Sequence, residues 1–192
     1  MKIEDYHSEY NDLASEESLF NIPSRKELVL EEIGQGKRVL DVGCLGGKFS
    51  RAIIEQNNDV WGVDINPAAV ARAWERDVKA KVADVEQGIP FDDQSFDVVH
   101  AGEIVEYLFD TRGFFLEVAR VLKPDGIFLF STSNLNSFEN RLRVLSGHYL
   151  EMSGAYPEDH SGERIRNMSV TKVTELCECA GFQVDWIRGL YH

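Results

Sequence analysis

A chain of 192 residues, 43% hydrophobic and 28% charged, holds enough apolar material to bury one domain's core, which excludes a disordered or fibrous class. Its 33 acidic against 20 basic side chains leave a formal net charge of −13, a field that repels phosphate backbones and anionic membrane surfaces and argues against both as partners. The three cysteines make no disulfide framework, Cys177 and Cys179 lack the second pair a zinc site needs, no apolar run reaches membrane-spanning length, and Met1–Asp12 is unlike a secretory signal; a cytoplasmic protein without metal is expected.

The first twenty residues have no clear period, with Tyr6, Tyr10, Leu13 and Phe20 scattered among acids, and residues 1–35 read as a helical lead-in or flap. Ser24–Ile33 has helical spacing, with Ser24 as N-cap, Glu27 at the capping-box position and Gly34 as the stop. A strand over Val39–Val42 follows, then a glycine-rich turn and a helix from Gly47 to Gln56 that Asn57-Asn58 breaks. The second strand, Asp59–Asp64, leads through Asn66-Pro67 into a helix ending near Arg76, with proline in the first turn where its missing N–H costs least. Lys79–Ala83 is a third strand, closed by Asp84. After the turn Gly88–Asp93, Ser95–His100 is a fourth strand ended by Ala101-Gly102, and Glu103–Tyr107 is a short helical piece. Arg112–Leu122 is an amphipathic helix, Lys123-Pro124-Asp125-Gly126 a turn, and Ile127–Ser131 a fifth strand. Asn134–Ser146 is helix-like, the next twenty residues have no strong period, Ser169–Ala180 is a helix capped by Gly181, and Phe182–Ile187 reads as the last strand. Strand and helix alternate, and the early strands are too apolar to be half-exposed. That pattern predicts a Rossmann-like, doubly wound, mainly parallel sheet with helices on both faces, in a single domain over residues 1–192.

Three acids end successive strands: Asp41, Asp64 and Asp84. In a parallel sheet these ends share one edge, where open α/β sheets bind nucleotide-like ligands. Gly43, Gly46 and Gly47 lie in the turn after the first strand; they permit positive φ and let a ligand approach the backbone. Asp64 lies about twenty residues beyond that turn, where an acid can accept the hydroxyls of a ribose. The dinucleotide fingerprint G-x-G-x-x-G is not met, because Leu45 occupies its second glycine position, and Gly47-Lys48-Phe49 fails the Gly-Lys-Ser/Thr of a P-loop. The poor phosphate site suits a ligand without phosphate, and Asp41 suits one carrying a positive amine.

With these residues the chain resembles the class I S-adenosylmethionine-dependent methyltransferases. The likeness rests on Val39-Leu40-Asp41-Val42-Gly43-Cys44, Gly62-Val63-Asp64, Ala83-Asp84, Pro90-Phe91 with Ser95-Phe96-Asp97-Val98-Val99, Leu122-Lys123-Pro124-Asp125-Gly126 and Ala180-Gly181-Phe182, in that order and spacing. The resemblance implies that Asp41 and the backbone of Gly43, Cys44 and Leu45, in the turn that Gly47 closes, hold the methionine amino and carboxylate ends of S-adenosyl-L-methionine. It implies that Asp64 takes the ribose hydroxyls, Ile65 packs on the adenine, Asp84 accepts from the adenine amino group and the Val85 backbone reads the ring edge. Ala101 and Gly102 would border the methionine portion and Glu103 the reaction chamber. Leu45 stands where the family usually has glycine.

A narrower likeness, Ser131-Thr132-Ser133-Asn134-Leu135 with Ser137 and Glu139-Asn140-Arg141-Leu142-Arg143, resembles small-molecule methyltransferases that usually read S-T-P-N-L there. It implies a small-molecule methyl acceptor, methyl transfer from a sulfonium to a nucleophile, and S-adenosyl-L-homocysteine as product. Candidate bases are Glu106, Tyr107 and His148, with Glu103, His100 and His160 behind them; His100, ending a buried strand, reads more readily as a core or rim histidine. Residues 147–168 are expected to cap the acceptor pocket. Such proteins usually close the sheet with a final antiparallel strand, expected beyond His192, and an edge left open there is one a homodimer would cover. Two rival readings are a nicotinamide-dependent oxidoreductase and a non-catalytic cofactor-binding scaffold or sensor.

Overall fold

The computed structural model describes residues 23–133, 138–147 and 168–189. Helix α1 is Pro23–Ile33 and strand β1 Arg38–Val42; α2 is Lys48–Ile54, β2 Asp59–Asp64, α3 Pro67–Glu75 and β3 Lys79–Val82. Strand β4, Phe96–Gly102, is followed by a 3₁₀ turn at Val105–Tyr107, α4 at Thr111–Val121 and β5 at Leu122–Ser131; α5 is Phe138–Leu145 and α6 Val170–Cys179. The sheet order is β3-β2-β1-β4-β5, every neighbouring pair parallel. The chain winds outward from β1 in both directions, so the crevice above the ends of β1 and β4 is the topological switch point.

Alternation along the strands divides the core between two faces. Val39, Val60, Val98 and Leu129 pack with Ile33 of α1 and Phe49 and Ile53 of α2. Leu40, Val42, Val63, Val99 and Ala101 pack on the other side with Phe114, Phe115 and Val118 of α4 and Leu176 of α6. Cys44, Val70, Ala73, Val78 and Ala80 fasten α3 beside α2. Among the described residues no helix is long and apolar enough to cross a membrane.

Several expectations shift by a residue or two, and three change in kind. Helix α1 starts at Pro23, so Ser24 lies inside its first turn and is not the N-cap. The Lys123–Gly126 turn is absorbed into β5 as a bulge: pairing moves from Phe96↔Leu122 directly to Val98↔Ile127. Asp125 takes a φ of 62°, and a Cβ on Gly126 would lie 2.9 Å from the Lys123 carbonyl oxygen, so the bend needs glycine there. The expected strand Phe182–Ile187 is irregular. Phe182 and Val184 alternate onto the core, with the Phe182 ring 5.5 Å from that of Phe128, but the backbone joins no ladder. Helix α6 begins as expected, Ser169 accepting from the Lys172 N–H, and ends at Gly181 in a Schellman pattern, Phe182 N–H to Cys177 carbonyl and Gly181 N–H to Glu178 carbonyl. His148, His160, Tyr6, Tyr10 and all but the ends of the expected cap lie outside the described residues.

Candidate active site

The turn after β1 is knotted to the end of β2. The N–H groups of Gly43 and Cys44 both donate to the Val63 carbonyl, at 2.9 and 3.1 Å, and Gly47 N–H donates to the Cys44 carbonyl. Leu45 N–H donates to Asp64 Oδ2 at 2.8 Å, while Asp64 Oδ1 accepts from Asn66 N–H at 2.9 Å. Asn66 in turn caps α3, its side-chain oxygen accepting from Ala68 N–H. Asp64 therefore clips two turns together at the carboxyl edge. Leu45, standing where the family has glycine, adopts the left-handed φ of 49° that glycine would supply. Gly47 serves packing: a Cβ there would lie 3.0 Å from that of Ala73. The N–H groups of Gly43, Cys44 and Leu45 are all donated inward, and the Cys44, Leu45 and Gly46 carbonyls also accept within the protein, so the turn is a closed hydrogen-bonded unit.

The three acids differ in what holds them. Asp41 is 3% exposed, with Oδ2 accepting from the Ser50 hydroxyl at 2.5 Å and Oδ1 2.7 Å from His100 Nδ1. Its carboxylate points to the α2 face, away from the turn's open side. Asp64 is 5% exposed. Asp84 is half-buried just past β3 and accepts from Glu86 N–H. The field of the first two reaches the turn: burial chiefly, and then the charges of Asp41 and Asp64, push the Cys44 thiol far above its ordinary range. Cys44 stays protonated and acts as packing. Ile65 follows Asp64 half-buried, Val85 is in the core beside Asp84, and Ala101 and Gly102 end β4 opposite Phe130 and Ser131.

Past β4 the chain turns sharply. Glu103 takes a φ of 54°, its N–H donates to the Ser131 carbonyl, and Ile104 folds back so that a Cβ on Gly43 would lie 3.3 Å from its side chain. Glu103 pairs with Arg25 of α1 at 2.9 Å and accepts from the Ser133 hydroxyl at 3.2 Å. Glu106, 1% exposed, accepts from the Thr132 hydroxyl at 3.1 Å. Tyr107 is half-buried at the end of the 3₁₀ turn. Two carboxylates after β4 thus face two hydroxyls after β5. Ser133, in place of the usual proline of the S-T-P-N-L pattern, supplies one of those hydroxyls. Arg25 and Ser50 carried no signal in the sequence, because each contributes through a partner 78 or 9 positions away. A separate surface depression of about 540 Å³, bordered by Glu86, Ile89, Glu117 and Arg120, lies off this edge; its Arg120 is committed to Glu117 and Asp93.

A parallel sheet in the order 3-2-1-4-5, with a glycine turn after β1 knotted to an acid ending β2, defines a domain that binds a nucleoside-type cofactor across its strand ends. Residues 40–130 match the family described as Methyltransferase domain, and the chain carries a class I S-adenosylmethionine-dependent methyltransferase domain. It is 30% identical over 175 residues to a probable S-adenosylmethionine-dependent methyltransferase of Mycolicibacterium smegmatis, covering 88% of this chain and 62% of that protein. To a ubiquinone biosynthesis O-methyltransferase of Aliivibrio fischeri it is 36% identical over 145 residues, covering 70% and 62%. The chain thus spans 62% of the length of each of these relatives. A Thermotoga maritima structure described as a possible histamine N-methyltransferase superposes with a TM-score of 0.68 at 20% identity, over 94% of this chain and 79% of that one, and shares the fold. The domain match decides between the two cofactor readings in favour of S-adenosylmethionine.

Proposed function

We propose that the chain, folded as one domain, transfers a methyl group from S-adenosylmethionine to a small-molecule acceptor in the cytoplasm. The observation that carries this reading is the Asp64 carboxylate joined to Leu45 N–H, which ties the end of β2 to the turn after β1, on the β1 side of the switch point. When bound, the cofactor supplies an activated methyl on a positively charged sulfur. Asp64 accepts the ribose hydroxyls while keeping the turn in register, and Ile65 covers the adenine face. Asp84 and the Val85 backbone read the base edge. The field of Asp41 and Asp64 favours the positive amine and sulfonium. Ala101 and Gly102 leave room for the methionine portion. Glu103, Glu106 and Tyr107 border the acceptor, Glu106 and Tyr107 being the nearest candidates to hold its proton, with residues 147–168, His148 among them, closing over it.

With the donor already activated, the protein's main tasks are alignment and exclusion of water. The ubiquinone-biosynthesis relatives and the S-T-x-N-L stretch support an oxygen on a small aromatic or quinone-precursor acceptor. The test is calorimetric titration with S-adenosylhomocysteine and NAD in parallel, followed by mass spectrometry of a phenol, amine and sugar panel incubated with S-adenosylmethionine. Micromolar S-adenosylhomocysteine binding with one methylated product class supports the reading. Tight cofactor binding with no methylated product points to the scaffold or sensor.

A further inference from the structure

Asp41 stands in the first motif of the methyltransferase pattern, yet both its oxygens are engaged inside the protein. Ser50, in the first turn of α2, donates to one at 2.5 Å, and His100 of β4, its register partner in the sheet, meets the other at 2.7 Å through Nδ1. An ionised Asp41 accepting from Ser50 requires Nδ1 to carry the proton and donate. All three side chains are buried, at 3%, 0% and 3% exposure, and the Phe49 ring lies 4.8 Å from the imidazole, fixing its tilt.

We infer that Asp41, Ser50 and His100 form a buried positioning relay that sets the glycine turn against the end of β4, so that Ser50 and His100 tune cofactor affinity without touching the cofactor. The connectivity carries the argument. The stretch from Asp41 to Ser50 contains the whole turn, and the hydroxyl–carboxylate bond closes it as a loop. The imidazole ties that loop to β4 two residues before Gly102 and three before Glu103. One carboxylate thereby fixes three elements bordering the crevice. A buried carboxylate is costly unless hydrogen-bonded, and an apolar trio of similar volume would fill this space without that cost. What the polar trio adds is a fixed geometry of the kind that holds a ligand site in register.

The inference rests on S-adenosylmethionine binding at this edge, and titration with S-adenosylhomocysteine tests the two separately. The full chain is compared with Ser50→Ala, Ser50→Thr, His100→Gln, the Ser50→Ala/His100→Gln pair, and Ile53→Val, which trims the same side of the core without touching the relay. Ser50→Ala and His100→Gln are each expected to weaken binding about tenfold, and the pair by well under the roughly hundredfold product, because both act through one carboxylate. Ser50→Thr, which keeps the hydroxyl, stays within about twofold of wild type, as does Ile53→Val although its melting temperature falls. Affinities that simply follow melting temperature across the set, or variants that fail to fold, overturn the relay and leave it a stability element. Wild-type affinity in both single variants overturns it too. A wild type that binds no S-adenosylhomocysteine removes the proposed function itself.

Discussion

Acids gather at both edges of the sheet, but they are held in opposite ways. At the amino edge Asp97 of β4 accepts from the Lys123 ammonium and from Arg38 N–H, both at 2.8 Å. Those two bonds, the lysine's first, hold its carboxyl below its ordinary value. It staples β4, the β5 bulge and the start of β1, and its charge is cancelled on the spot. At the carboxyl edge Asp41 is held by a hydroxyl and an imidazole, and Asp64 accepts from two backbone N–H groups, bonds that orient both carboxylates. The amino-edge acid meets an ammonium, whereas the carboxyl-edge acids proposed to face a positive ligand are oriented by hydroxyl, imidazole and backbone groups. Glu103 is the instructive exception at the carboxyl edge: its ion pair with Arg25 brings α1 down beside the site.

The largest expected effect tests how tightly the carboxyl edge is built. In Gly62→Ala the new Cβ would lie 2.5 Å from Cys44 Sγ and 2.9 Å from Cys44 Cβ in the core. Overpacking of this kind costs about 3 kcal/mol, or roughly 6–12 °C in melting temperature for a chain of this size. A thermal midpoint within about 2 °C of wild type would show the turn to be looser than described. Next comes the contrast between edges. Asp64→Ala is expected to cut S-adenosylhomocysteine affinity about a hundredfold by calorimetry, since it removes the proposed ribose contact and frees the turn together. Asp97→Ala should leave affinity within about twofold and cost about 1 kcal/mol of stability, the half-exposed lysine adding little through screening. Equal affinity losses in the two variants would erase the distinction.

Acidification sharpens that contrast. A carboxyl held below its ordinary value stabilises the fold fully above the unfolded value of 3.8 and stops doing so as pH falls through the lower folded value. Glu117, held down first by Arg120, behaves alike from its ordinary 4.5. The stability gap between wild type and Asp97→Asn is therefore expected in urea titrations at pH 6 and to shrink below pH 3.8 as the wild-type carboxyl protonates. A gap that stays constant down to pH 2 would detach Asp97 from the ion pair.

Much of this was legible in the sequence because local rules decided it. The apolar runs of β1, β2 and β4, proline after Asn66, and Ser169 with Gly181 around α6 each follow from alternation, capping or a positive φ, and each appears within a residue or two of its expected place. The illegible part depends on pairing at a distance. Phe182–Ile187 alternates like a strand, but alternation records only which side chains are buried; whether the backbone finds an edge is settled by neighbours far along the chain. Lys123–Gly126 has turn composition, yet it forms a bulge within β5 where the pairing with β4 shifts register, and Lys123 bonds Asp97 there. At the site, the three acids and the glycine turn could be placed on one edge from spacing alone. That Asp41 would face Ser50 and His100 could not, because only the β1–β4 register puts His100 beside it.

Leu45 offers the finest discrimination at that edge. Its left-handed φ of 49° in a turn built for glycine costs a branched residue about 1–2 kcal/mol, while glycine would loosen the unfolded chain by about 0.5–1 kcal/mol and lose the half-buried isobutyl group. These terms nearly cancel, so Leu45→Gly is expected within about 0.5 kcal/mol of wild type. Leu45→Val stiffens χ1 and crowds the backbone at positive φ, and should fall about 1 kcal/mol below it. Thermal midpoints ordered with glycine and leucine together and valine lowest fit a strained turn whose N–H must reach Asp64. Valine equal to leucine would mean that the turn relaxes out of the left-handed region, and Asp64 would then lose one of the two bonds that aim it.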